Sequence, residues 1–256
     1  MADETLNFPR IPAIRTPMRF PATLLFLCAF ILAACTAPAL PPWIPPPQMQ
    51  PPVTGQIAPS QMLREEIRLV PGFIPKGSYG RRVHRPMKPR YITIHATENP
   101  AGDAFAHAKA LKNGKLRATK RRGGNRIGFL TWHFTVQDNC AVQHLPTNEQ
   151  GEHADFDGPG NNCSIGIEMC EHRGNNRAAT VERTAKLSAY LMRLHGIPLR
   201  NVVPHYHWPR RGLDPAHKNC PHFLLDNGRP GRKWAWFLSR VQLHYNRMGP
   251  GTMSRL

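Results

Sequence analysis

The stretch Val203-Pro204-His205-Tyr206-His207-Trp208, followed after a loop by His217-Lys218-Asn219-Cys220-Pro221, concentrates imidazole and thiol groups near the C-terminal end of the chain. Imidazole nitrogen and thiolate sulfur are donors that zinc prefers, and a Lys two residues before the thiolate can meet negative charge developing at the same centre. The stretch reads as one half of a catalytic zinc site. Two donors do not hold such an ion, and with 13 histidines in the chain a further ligand has to be chosen by position. His95 is the best placed. In Tyr91-Ile92-Thr93-Ile94-His95 the alternation puts Ile92 and Ile94 on one face of a strand and Thr93 with His95 on the other, so His95 ends a strand that opens onto a cleft. Three protein donors leave zinc one open position, where a water becomes acidic enough to attack a carbonyl. In the C-terminal half, His205, His207 and His217 compete for one ligand position beside Cys220.

The elements that must position these groups alternate along the chain. Tyr91–Ala96 reads as a strand and 103–112 as a helix; 131–137 and 141–144 read as a hairpin turning at Asp138-Asn139; 164–170 is a further strand. Thr180 is expected to cap a helix whose apolar positions Val181, Ala185, Leu187, Leu191 and Leu194 share a face, with Gly196 and Pro198 as its stop. A short strand over 201–204 leads into the His-rich stretch. A last helix over 233–245 places Trp234, Phe237, Leu238 and Val241 at i, i+3, i+4 and i+7. The expectation is a single α/β domain over residues 67–256, with a central mixed sheet flanked by helices. An apolar content of 41% supplies a core for it and excludes a disordered chain.

The formal charge is +18, of which residues 1–34 contribute three Arg less Asp3 and Glu4, or +1, leaving +17 on the remainder. The densest run is Lys115-Leu116-Arg117-Ala118-Thr119-Lys120-Arg121-Arg122-Gly123-Gly124-Asn125-Arg126. It has no aromatic residue interleaved for base stacking, so anionic envelope polymers or lipid headgroups suit it better than nucleic acid, and a solvated loop is the commonest fate of such a run. Of the six cysteines, Cys140, Cys163 and Cys170 have no assigned chemistry; they allow at most one disulfide, whose pairing is open, or stand as small buried hydrophobes.

The N-terminal region reads as export and anchoring. Arg10, Arg15 and Arg19 precede the apolar run Ala22–Ala34, which is 13 residues long, the length of a signal core and short for a membrane span. The run ends Leu32-Ala33-Ala34-Cys35, which resembles the lipobox of bacterial lipoproteins. That resemblance implies cleavage after residue 34, acylation of Cys35 and location in a bacterial envelope. Thr36 rather than Asp after the Cys implies the outer membrane, facing the periplasm, where two membranes are present. Nine prolines between residues 37 and 59 make 35–66 an extended, semi-rigid tether.

Taken in order, Ile92-Thr93-Ile94-His95, Trp132-His133-Phe134-Thr135-Val136, Gln143-His144-Leu145-Pro146, His153-Ala154, Asn161 with Ser164-Ile165-Gly166-Ile167-Glu168, and His205 with Trp208 and Lys218-Asn219-Cys220-Pro221 resemble the type 2 N-acetylmuramoyl-L-alanine amidases. The resemblance is to the branch of bacterial autolysins and phage endolysins, with peptidoglycan-recognition proteins as more distant relatives, and runs from about Arg68 to Tyr245. It implies a peptidoglycan-recognition-protein-like fold; the protein is separately expected to act as a monomer. It implies zinc held by His95, His205 and Cys220, and hydrolysis of the amide joining N-acetylmuramic acid to L-alanine in peptidoglycan or its fragments. Glu168 matches the family's acid and Lys218 the Lys before the ligand Cys. Glu168 stands alone among Ile165, Gly166, Ile167 and Met169, and can take a proton from water and give it to the departing amine, while Lys218 can pair with the tetrahedral oxyanion. His133 is expected to give a supporting hydrogen bond behind the ligands. A non-catalytic peptidoglycan-binding module is the alternative, and five intact site residues argue against it.

Three departures accompany the resemblance. Trp132 stands where distant relatives have a Tyr, and Glu152-His153-Ala154-Asp155 replaces Trp-His-Ala-Gly. Close relatives have a much tighter turn between the second and third ligands, where this chain inserts Pro209–His217. Its two Arg and two Pro residues predict a stiff basic lip at the rim of the cleft.

Overall fold

Strands rich in Ile, Val and Met, each short and apolar on at least one face, pair into a six-stranded sheet: β1 (Leu69–Pro71), β2 (Tyr91–Ala96), β3 (Phe134–Val136), β4 (Ala141–Gln143), β5 (Ser164–Met169) and β6 (Val202–Pro204). The computed structural model describes residues 55–118, 128–253 and 256. The expected signal, Cys35, the expected tether as far as residue 54 and the densest part of the basic run, 119–127, lie outside the described residues.

The strand order is β1-β4-β3-β5-β2-β6, parallel throughout except for the antiparallel β3–β4 hairpin. The sheet is therefore mixed, as expected. At its centre β2 and β5 run in register, Thr93 beside Gly166 and His95 beside Glu168. Because side chains alternate across a sheet, this register puts both candidate groups on one face. The opposite face, with Ile92, Ile94, Ile165, Ile167 and Met169, is fully buried against the helices Arg177–His195 and Arg232–Arg247.

The long helix starts earlier than the expected cap. Asn176 is the N-cap, its side chain accepting from the Ala179 N–H at 3.0 Å, and Thr180 lies one turn inside, its hydroxyl donating to the Asn176 carbonyl. Gly196 closes the helix in the left-handed conformation (φ 67°). The helix Ala104–Lys112 is capped by Asp103 and packs its Ala104 and Ala108 on the β3–β4 side of the sheet, against Val142, Cys140 and Cys170. Cys140, Cys163 and Cys170 are free and buried, so they serve as small apolar residues.

The folded body also begins before residue 67. Ile57 bridges to Met248, and the π-helical segment Met62–Ile67 buries Met62 and Ile67 completely in the main core. Glu66 fixes this segment to both helices, 2.8 Å from Lys186 and 2.9 Å from Arg247. The last residues assigned to the tether are thus packed structure, because Met62, Leu63 and Ile67 join the main core beside the helix Arg177–His195.

Candidate metal centre

Two strand ends and a returning loop deliver the site. His95 is the penultimate residue of β2, His205 follows β6 directly, and the loop carrying Cys220 returns to the end of β2, where its sulfur accepts from the Ala96 N–H at 3.3 Å. The donor atoms of His95, His205 and Cys220 all lie within 4.8 Å of one another, and all three residues are buried. The edges of a tetrahedral zinc site with two nitrogens and a sulfur are about 3.3–3.8 Å, so little movement is needed to close the set on one ion.

The two rings face each other through Nδ1, 3.0 Å apart. Each has its Nε2 engaged behind it: His95 donates to His153 Nδ1 at 3.0 Å, and His205 donates to the Ala154 carbonyl at 3.3 Å. Nδ1 of both rings is thereby directed inward, and two nitrogen lone pairs at this separation call for a cation or a shared proton between them. Burial, with Lys218 adding repulsion, holds His205 at about 3, and burial with the neighbouring imidazoles holds His95 well below its usual range. Both are neutral at physiological pH, the form that ligates. Burial pushes the Cys220 thiol up, and Glu168 adds to that; a divalent cation is the charge that would favour its thiolate. The donor set fits zinc.

Glu168 places Oε1 3.9 Å from His95 Nδ1, while its Oε2 is buried without a hydrogen-bond partner. Burial raises its pKa to about 8 against the pull of Lys218. Lys218 lies at the edge of the same cleft, 3.5 Å from Glu98. The cleft, about 220 Å³, brings together His95, Glu168, His205 and Lys218 with Trp132, His153 and Arg210. A larger cavity of about 610 Å³ lies alongside, between the Asp155–Pro159 loop and His207, Trp208, Pro209 and Arg211. Phe156 lines both, so the two adjoin.

The competing histidines are placed elsewhere. His207 is exposed against Tyr91 and Trp208, and His217 stacks on Tyr206 while its Nδ1 bonds the Tyr206 carbonyl at 2.6 Å. His133 does not support a ligand directly. It accepts from the Gly166 N–H at 3.0 Å and donates to the Glu149 carbonyl at 2.8 Å, tying β5 to the loop before His153.

The residue that sequence reasoning left without a role is His153. Asn161 fixes its loop: one side-chain oxygen accepts from the N–H groups of both His153 and Ala154 at 2.8 Å. The ring lies on Gly166, where a Cβ would come within 2.8 Å of it, which accounts for glycine beside two β-branched residues in β5. The signal was present in the quoted motif pieces His153-Ala154, Asn161 and Gly166, which this packing joins.

Residues 85–223 match the family model described as N-acetylmuramoyl-L-alanine amidase (Amidase_2), a span that includes all five candidate residues. The chain belongs to this amidase family. Among relatives in Bacillus subtilis (strain 168), N-acetylmuramoyl-L-alanine amidase XlyA is 41% identical over 163 residues, 62% of this chain and 48% of that protein. N-acetylmuramoyl-L-alanine amidase CwlH, from the same organism, is 37% identical over 173 residues, 66% of this chain and 59% of that one. The chain thus spans about half the length of the curated relatives it matches. The fold is that of amidase catalytic domains. The catalytic domain of XlyA superposes with a TM-score of 0.55 at 39% identity, covering 68% of this chain and 99% of that one. The PlyG catalytic domain gives 0.53 at 25% identity, covering 69% and 94%.

Proposed function

We propose that this protein hydrolyses the amide between N-acetylmuramic acid and L-alanine in peptidoglycan or its fragments, using zinc held by His95, His205 and Cys220. The observation that carries the reading is the convergence of three neutralisable donors within 4.8 Å, with the Glu168 carboxylate 3.9 Å from one of them. When bound, zinc supplies a Lewis acid that polarises the amide carbonyl and acidifies the attacking water. Glu168 takes the proton from that water and gives it to the nitrogen as the carbon–nitrogen bond breaks. A carboxyl group that burial holds at about 8 can both take and release a proton near neutral pH. Lys218, at the cleft edge, pairs with the oxygen that gains charge when the carbonyl carbon becomes tetrahedral. His153 and the Ala154 carbonyl hold the ligand rings in place.

The same reading makes the protein a lipoprotein, anchored through Cys35 in the bacterial envelope with its domain facing peptidoglycan and acting as a monomer. Its support is Leu32-Ala33-Ala34-Cys35 at the end of a 13-residue apolar run, with a proline-rich tether after it. Digestion of purified peptidoglycan by the protein, with and without chelator, tests the activity. New L-alanine amino ends found by mass spectrometry only when zinc is available are the expected result, and any other new end overturns it.

A further inference from the structure

The insertion between His205 and Cys220 does more than border the cleft: it sends a cation into it. Arg210 lines the same cavity as His95, Glu168, His205 and Lys218. Its position is fixed by its own loop. The Arg210 N–H donates to the Ala216 carbonyl at 2.8 Å, its carbonyl accepts from the Leu213 N–H at 3.1 Å, and its Nη2 donates to the Pro215 carbonyl at 3.0 Å. What remains of the guanidinium is uncommitted. Nε is buried with no hydrogen-bond partner, and among the described residues no carboxylate lies within ion-pair distance of Arg210.

The other charges of the cleft are accounted for. Lys218 faces Glu98 at 3.5 Å and Glu152 faces Arg85 at 3.7 Å, while Glu168 Oε1 lies 3.9 Å from His95 and its unpartnered Oε2 is reserved for the proton transfer proposed above. Arg210 as a whole is half-buried, but an Nε–H shielded from water without an acceptor costs free energy, and the guanidinium fork at the cleft wall is matched best by a carboxylate.

We infer that Arg210 reads a free carboxylate on the stem peptide beside the amide that is cut, so that the insertion sets the enzyme's substrate preference. The inference rests on the amidase reading above. Arg210 touches no breaking bond; it is a specificity residue that acts on substrate binding. The neighbouring Arg211, exposed at the wall of the adjoining cavity, serves as the control.

The test uses the full-length, zinc-loaded protein and two synthetic muramoyl peptides that differ only in whether the residue after L-alanine carries a free carboxylate or its carboxamide. The unmodified protein should favour the acid by about ten-fold in kcat/KM, through KM. Arg210→Ala should bring that ratio to about one, Arg210→Lys should keep part of it, and Arg211→Ala should keep it all. No preference in the unmodified protein, or a preference that survives Arg210→Ala, overturns the inference while leaving the amidase reading intact. Equal loss on both substrates with the ratio preserved makes Arg210 a loop support and overturns it as well. If the unmodified protein cuts neither peptide nor peptidoglycan, the amidase reading itself fails.

Discussion

His153 Nδ1 lies 3.0 Å from His95 Nε2, and the next carbonyl in the chain, that of Ala154, lies 3.3 Å from His205 Nε2. Two consecutive residues of one loop therefore orient both imidazoles of the candidate centre, and Asn161 holds both of their backbone N–H groups. Removing an outer partner of a ligating histidine costs about 10–100-fold in metal affinity. His153→Ala is expected to weaken zinc binding within that range, read by competition with a chromogenic chelator. Gly166→Ala should do the same by displacing the His153 ring. Unchanged zinc affinity in both would assign His153 to packing alone.

Glu168→Gln keeps the shape and removes the proton site. The variant should bind zinc with normal stoichiometry and lose about two to four orders of magnitude in kcat. Metal analysis alongside turnover separates the effects, and near-normal turnover in a fully metal-loaded variant would require another base.

Stability should respond to pH through Glu182. Arg240 binds its two carboxylate oxygens at 3.0 and 2.6 Å, and His244 Nε2 donates at 2.7 Å. Burial alone would raise Glu182, but the bonds from His244 and Arg240 outweigh it and hold the carboxyl at about 2. The folded state therefore favours the ionised form. Its contribution is full above about pH 4.5 and disappears as pH falls through about 2. Allowing for solvent at the partly exposed carboxylate, about 1–2 kcal/mol is at stake. Urea unfolding of Glu182→Gln should show that deficit at pH 7 and a shrinking one between pH 4.5 and 3.

The legible parts of this fold are those where one local signal decides. Alternation in Tyr91–His95 and Ser164–Glu168 marked both central strands and the faces of His95 and Glu168, because a period of two leaves no other arrangement of Ile92, Ile94, Ile165 and Ile167. Helix starts were less legible, since Asn176 and Thr180 are both competent caps and tertiary packing chose Asn176. Met62–Ile67 was hidden by the proline-rich residues before it; its burial depends on helices more than a hundred residues away. His153 was visible as a motif fragment and silent as a role, because its function needs β2, β5 and Asn161 brought together.

Anchoring is expected to be separable from catalysis. If Cys35 is the anchor and the proline-rich stretch its tether, as proposed above, Cys35→Ala should release the protein from the membrane fraction and leave its specific activity on soluble muramoyl peptides unchanged. Cell fractionation is the measurement; a variant that stays membrane-bound as firmly as the unmodified protein would exclude Cys35 as the anchor.

The insertion should be dispensable for metal and needed for substrate. Beyond the ligands themselves, the Tyr206 N–H donates to the Cys220 carbonyl at 3.1 Å, and Cys220 accepts from Ala96 of β2, so the two ends of the insertion are joined independently of the residues between them. Loop length costs little, about 0.6 kcal/mol per doubling, and shortening it to a Ser-Gly link imposes no large entropic change. Such a replacement of Pro209–His217 removes Arg210 from the cleft and Pro209 and Arg211 from the adjoining cavity. It also removes His217, whose Nδ1 is already committed to the Tyr206 carbonyl. Zinc stoichiometry should stay at one per chain, and KM for acidic substrates and polymeric peptidoglycan should rise. Loss of zinc in this variant, with the fold intact by circular dichroism, would mean that His217 leaves Tyr206 to ligate the metal, and His205 would then give up its place in the set.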